Sequence, residues 1–207
     1  MIAVVDYGVG NLYSLSCSLT HIGADSVVTR DPETLQSASK IILPGVGAFG
    51  DAADKLRALK LDTLVKDLAA QGKPLLGVCL GMQLLFDKSF EYGEHEGLAL
   101  IRGQVRDMSP YTGDLKVPHM GWNSLDFQTP GDPLLKDIRP GDYVYFVHSF
   151  YAADCQSALI ATADYGVTVP AIVRARNVCG TQFHPEKSGE TGLKILAAFA
   201  KGATVSC

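Results

Sequence analysis

The first ninety or so residues repeat one pattern: a short apolar run, a turn containing glycine, then an amphipathic stretch. The runs are Ile2-Ala3-Val4-Val5, Ser26-Val27-Val28, Lys40-Ile41-Ile42-Leu43 and Pro74-Leu75-Leu76-Gly77-Val78. Such a repeat builds β-α units on a parallel sheet. Helices are expected between the runs at about 11–22, 51–71 and 80–87, the longest with Ala52, Leu56, Leu59, Leu64 and Leu68 at roughly helical spacing. This half reads as a doubly wound α/β sheet.

The rhythm then changes to strand-like segments between turn residues: Leu98 to Val105, Trp122 to Phe127, Tyr143 to Val147, Ala171 to Ala175 and Cys179 to Phe183. These are expected to pair antiparallel beside the parallel sheet. A stretch from about 189 to 201, with Leu193, Leu196, Ala197 and Ala200 on one stripe, predicts a closing helix. No repeat or linker interrupts the 207 residues, so a single domain spanning 1–207 is expected.

Composition narrows the function classes. An apolar fraction of 47% against 19% charged excludes a disordered chain. Eighteen Lys and Arg against 22 Asp and Glu, a net charge of −4, argue against a nucleic-acid partner. The cysteines at 17, 79, 155, 179 and 207 are odd in number and make no C-x-x-C pair, so neither a disulfide framework nor a zinc ribbon is expected, and a reducing cytoplasm fits. The opening Met-Ile-Ala-Val-Val-Asp has no basic region, and no apolar stretch approaches about 18 residues, so neither a signal peptide nor a membrane span is expected.

Three glycine-rich turns follow strands. Asp6-Tyr7-Gly8-Val9-Gly10-Asn11 has Tyr13 where a dinucleotide fingerprint needs glycine, and reads as a tight strand-to-helix turn. Pro44-Gly45-Val46-Gly47-Ala48-Phe49-Gly50 is followed by Asp51-Ala52 rather than Lys-Ser/Thr, so it cannot grip a nucleotide as a P-loop does. Gly77-Val78-Cys79-Leu80-Gly81 differs, because its spacing copies a nucleophile elbow with sulfur in place of oxygen. The glycines permit a sharp turn that lifts Cys79 off the sheet edge, at a helix start whose free N–H groups favour a thiolate.

A thiolate needs a proton shuttle, and the histidines are His21, His95, His119, His148 and His184. His184 ends the last apolar strand, on the sheet edge where Cys79 is expected. In His184-Pro185-Glu186 the proline holds His184 away from helical dihedrals, so Glu186 can orient the imidazole and stabilise its charged form. A Cys79-His184-Glu186 triad is the expected catalytic set. His95, His119 and His148 lack metal-ligand spacing, and neither a metal nor another cofactor is assigned.

These residues resemble the class I, triad-type glutamine amidotransferases, whose glutaminase module carries G-x-C-x-G-x-Q and a late H-P-E. Within the family the likeness is greatest to glutaminase subunits of imidazole glycerol phosphate synthases. It runs through Asp6 to Asn11, Pro44 to Gly50, Gly77 to Phe86, Pro118-His119-Met120-Gly121-Trp122-Asn123, Phe146 to Ser149 and Gln182 to Gly189. Phe150 stands where tyrosine is more usual in the family, and Ala198 where asparagine often does.

The resemblance implies an oxyanion hole of backbone N–H groups at Val46, Gly47 and Leu80, and glutamine contacts at Gln83, Glu91, His148, Ser149 and Phe150. Asn11, Trp122 and Lys187 would face a partner, a cyclase (β/α)8-barrel subunit joined as a heterodimer to make imidazole glycerol phosphate in histidine biosynthesis. Taken without the family, Trp122 reads as a core anchor and Glu91, near Glu94 and Glu96, as part of a solvated acidic face. The implied fold is a flavodoxin-like doubly wound sheet, mostly parallel, with added antiparallel strands in the second half. A glutaminase of another pathway, of pyridoxal phosphate or anthranilate type, a stand-alone cysteine hydrolase and a structural subunit with a dead site stay open as alternatives.

Overall fold

The computed structural model describes residues 1–202; Cys207 lies outside the described residues. The first half runs β1 (Ile2–Val5), α1 (Leu12–His21), β2 (Ser26–Thr29), α2 (Pro32–Ser37), β3 (Lys40–Leu43), α3 (Phe49–Ala58), α4 (Leu61–Ala70), β4 (Leu75–Val78) and α5 (Leu80–Gln83). The second runs β5 (Lys88–Ser89), β6 (His95–Glu96), β7 (Gln104–Asp107), β8 (His119–Ser124), β9 (Asp126–Phe127), β10 (Tyr143–His148), β11 (Phe150–Ala153), β12 (Leu159–Asp164), β13 (Thr168–Ala175), β14 (Val178–Thr181) and α6 (Gly189–Gly202).

The large sheet has the order β2-β1-β3-β4-β14-β13-β12-β9. Its first five strands are parallel, and β13, β12 and β9 extend it antiparallel. A β8-β10 ribbon and a small β11-β7-β5-β6 sheet stand beside it. The buried strands explain their unbroken apolar runs, because both faces are covered. Ile2, Val4, Ile42 and Leu76 pack under Leu15 and Leu19 of α1 and Ile195 and Phe199 of α6. On the other face, Ala3, Val5, Ile41 and Leu75 pack under α2, α3 and α4 through Leu35, Leu56 and Val65. This is the expected doubly wound α/β fold. Strand order reverses between β1 and β3, which places a crevice at the carboxyl ends of the strands.

Several expected elements differ. The strand expected over 122–127 begins at His119 and breaks at Leu125 into β8 and β9, which belong to different sheets. The last strand, β14, is antiparallel to β13 but parallel to β4. The helix over 51–71 is two helices, broken at Lys60, whose φ is +56°. A straight helix of that length would span about 30 Å, whereas four-residue strands offer only about 13 Å to cover. Folding the segment back buries Leu61 and Val65 and leaves Leu59 41% exposed. The helix expected over 80–87 ends at Gln83, because the carbonyls of Leu84 and Leu85 accept from Leu98 and Leu100 N–H. The same pairing keeps 98–103 from being strand, so β7 begins only at Gln104. In α6 the core stripe is Ile195, Leu196 and Phe199, with Leu193, Ala197 and Ala200 half-buried. Among the described residues no helix is long and apolar enough to cross a membrane.

Candidate active site

Cys79 joins β4 to α5 with φ +54° and ψ −112°, a conformation that costs a residue with a side chain about 1–3 kcal/mol. Neighbouring backbone holds it there: its N–H donates to the Thr181 carbonyl of β14 at 2.7 Å. The flanking glycines are dictated by close approach, since neither Gly77 nor Gly81 has a positive φ. A Cβ on Gly81 would lie 1.9 Å from the Leu43 carbonyl oxygen, and one on Gly77 would lie 2.6 Å from the Gly81 oxygen. Gly45 is also confined, because a Cβ there would lie 2.7 Å from the Gly81 nitrogen. The turn after β3 and the turn after β4 are thus packed backbone on backbone.

Parallel pairing of β14 with β4 sets His184 beside this elbow. Its N–H donates to the Tyr145 carbonyl at 3.0 Å, its carbonyl accepts from the Ser188 hydroxyl at 2.6 Å, and that hydroxyl accepts from Tyr145 N–H at 2.9 Å. The imidazole Nδ1 meets Glu186 Oε1 at 2.8 Å, both side chains being buried. Burial opposes the imidazolium, yet hydrogen bonds with Cys79 and Glu186, and their charges, outweigh it and push the His184 pKa up to about 10. Glu186 Oε2 is buried without a partner among the described residues.

A pocket of about 280 Å³ opens over Cys79 and His184. Val46, Gly47, Leu80, Gln83, Glu91, His148, Ser149 and Phe150 line it, so the structure gathers these residues at one place. Gly47 has a φ of +96° with open space around its Cα, and Val46 is exposed. Glu91 accepts a 2.7 Å hydrogen bond from the N–H of Phe49, capping α3 where Ala48 offers no side-chain cap, and burial raises its carboxyl pKa. Gln83 donates to the Phe150 carbonyl at 2.9 Å and to Gln182 Oε1 at 3.0 Å, and Gln182 donates to the Cys79 sulfur at 3.9 Å. A larger cavity of about 430 Å³ beside β11 and β13 lacks this chemistry. Its Cys155 has a thiol that burial pushes up to about 11, and no histidine lines it.

Sequence reasoning did not single out two contributors. Gln182 lies behind the sulfur, and buried Tyr7 donates to the Pro44 carbonyl at 2.7 Å, pinning the start of the Gly45–Gly47 turn. Tyr7 and Gln182 both fall in segments that carried the resemblance, which was the only available signal. Of the residues expected to face a partner, Asn11 caps α1 by accepting from Ser14 N–H at 3.4 Å, and Lys187 is exposed directly after Glu186. Trp122 is no core anchor: it is 56% exposed on β8, edge-on to Tyr145 and beside Gly189.

Comparison with known proteins agrees with this geometry. The family model for glutamine amidotransferase class-I matches residues 3–203. The imidazole glycerol phosphate synthase subunit HisH of Bacillus subtilis is 51% identical over 98% of this chain and 97% of that protein. That of Oceanobacillus iheyensis is 46% identical over 96% of this chain and 98% of that protein. Among solved structures, a glutamine amidotransferase crystal structure superposes with a TM-score of 0.74 at 18% identity, covering 96% of this chain and 99% of that one. PurLQS from Thermotoga maritima gives 0.72 at 21% identity, covering 97% of each chain. The chain belongs to the class-I glutamine amidotransferase family, within its HisH group.

Proposed function

We propose that the chain, as one glutaminase domain, hydrolyses glutamine to glutamate and ammonia and passes the ammonia to a cyclase (β/α)8-barrel subunit. In this reading the Cys79 thiolate attacks the side-chain amide carbon, and backbone N–H groups around Val46, Gly47 and Leu80 hold the oxyanion. His184, oriented by Glu186, protonates the leaving nitrogen and then activates the water that cleaves the γ-glutamyl thioester. Ammonia freed into water is largely protonated and no longer nucleophilic, a physical reason for docking the two sites as a heterodimer. The partner then makes imidazole glycerol phosphate and an aminoimidazole carboxamide ribotide. Gly47 supplies a backbone able to turn at low cost, so that the partner's ligand can set the oxyanion N–H groups in place.

The observation that carries this reading is the juxtaposition of Cys79 and His184 with Val46 and Gly47 in one pocket, with Glu186 on the imidazole Nδ1. The test is glutamate release by the chain alone, with a cyclase-type barrel subunit, and with that subunit plus its ribotide ligand. A rate that rises only in the full mixture is expected. A high rate from the chain alone overturns the coupling and points to a free-standing hydrolase. Cys79→Ala should lower glutamine-dependent synthesis by at least about a thousandfold and leave synthesis from added ammonia intact.

A further inference from the structure

Behind the pocket wall lies a chain of hydrogen bonds that the glutaminase chemistry above does not use. His148 Nδ1 is 2.9 Å from the Phe150 carbonyl, which can only accept, so that nitrogen carries the hydrogen. Its Nε2 is 3.0 Å from His119 Nδ1. The other end gives the same polarity independently. Asn123 donates through Nδ2 to the Asp164 carbonyl at 2.7 Å and accepts at Oδ1 from Ser124 N–H at 2.8 Å, which fixes its amide. Nδ2 also lies 3.3 Å from His119 Nε2, which must therefore be an acceptor. From both ends, His119 donates through Nδ1 and His148 receives at Nε2.

Every ring nitrogen of the pair is occupied, and both rings are neutral. Burial holds the His119 pKa down to about 4, and burial with the neighbouring His119 holds that of His148 down to about 3. His119 is stacked between Phe146 at 4.6 Å and Tyr165 at 3.9 Å. The Phe150 carbonyl at the end of the chain also receives Gln83, and Gln83 leads through Gln182 to the Cys79 sulfur.

We infer that His119, set by Asn123, is a positioning residue for the glutamine pocket: it holds His148 in the Nδ1–H tautomer and so fixes the His148–Phe150 wall on which Gln83 rests. It touches neither substrate nor sulfur. The inference rests on the glutaminase reading, and two substitutions separate tautomer control from packing. His119→Phe keeps the stacked ring but cannot donate. His119→Asn loses the ring but places an amide N–H near the Nδ1 position. Measured in the complex with the barrel subunit and its ligand, His119→Phe should raise the KM for glutamine about tenfold with a smaller change in kcat, and His119→Asn should restore most of it.

The reverse order, with Asn worse than Phe, overturns the inference in favour of packing, and so does equal damage by both. Imidazole nitrogen NMR of the parent chain needs no glutaminase activity. Both rings should be neutral with the hydrogen on Nδ1, and an Nε2–H or doubly protonated His148 at neutral pH overturns the inference. A parent complex that releases no glutamate would instead count against the glutaminase reading while the NMR result stood.

Discussion

Glu186 reaches the imidazole with one carboxylate oxygen and leaves the other buried without a partner among the described residues, so its placement favours the imidazolium over its own solvation. Glu186→Gln keeps the shape and removes the charge; turnover of the activated complex should fall about tenfold or more. An unchanged kcat would remove Glu186 from the mechanism. His119 and His148 are displaced in the opposite sense, which has a consequence for stability. Each stays neutral in the folded chain down to about pH 4 and about pH 3, but takes up a proton near pH 6.5 once unfolded. At these two sites the unfolded state therefore binds more protons in that window, and their contribution to stability, complete above about pH 6.5, declines as the pH falls through it. That of His184 runs the other way, complete below about pH 6.5 and lost as the pH rises toward about 10. Relative to His119→Asn, the thermal midpoint of the parent chain should drop between about pH 7.5 and about pH 5; an identical slope would place the source of the decline elsewhere. Cys79, His184 and Glu186 were legible in the sequence because each sits in a short motif whose spacing carries its chemistry. Gln182 was not, because its place behind the sulfur arises only when β14 lies beside β4.

The glycines around the elbow act at the scale of elements, where β3, β4 and α5 meet. Gly81→Ala would drive a methyl group into the Leu43 carbonyl and should destabilise the fold by at least about 2 kcal/mol. Gly23→Ala, at φ +73° with open space around it, should cost only about 1–2 kcal/mol through backbone strain alone. Denaturant unfolding of the two variants checks the contrast, and equal losses would mean that close packing does not set the need for glycine at 81. Tyr7→Phe removes the hydroxyl that pins Pro44 and should cost about 1–2 kcal/mol while loosening the Gly45–Gly47 turn. β1, β3 and β4 were readable because each is a nearly unbroken apolar run, and β2, a half-exposed edge strand, because Val27 and Val28 stand between turn residues. The break at Lys60 and the early end of α5 were not. Both are imposed by partners far along the chain, the short strands beneath α3 and α4 and the 98–101 segment that takes the Leu84 and Leu85 carbonyls.

Across the molecule, the candidate partner face can be tested apart from the pocket. Trp122 is more than half exposed, so Trp122→Ala should change the stability of the isolated chain by no more than about 0.5 kcal/mol. If the barrel subunit covers it, the same substitution should weaken the complex by about 2 kcal/mol or more, read as a raised Kd by titration calorimetry. Unaltered affinity would exclude Trp122 from the interface. Sheet order has a further consequence, for biosynthesis of the chain. The sulfur is made on β4, early in translation, but the strand that closes its backbone turn and carries His184 is β14, inserted next to β4 only after the intervening hundred or so residues have emerged. On the proposed mechanism, a nascent chain on the ribosome carries the Cys79 thiol before His184 is in place beside it. A chain lacking its last strand is accordingly expected to release no glutamate even with the barrel subunit and its ligand present.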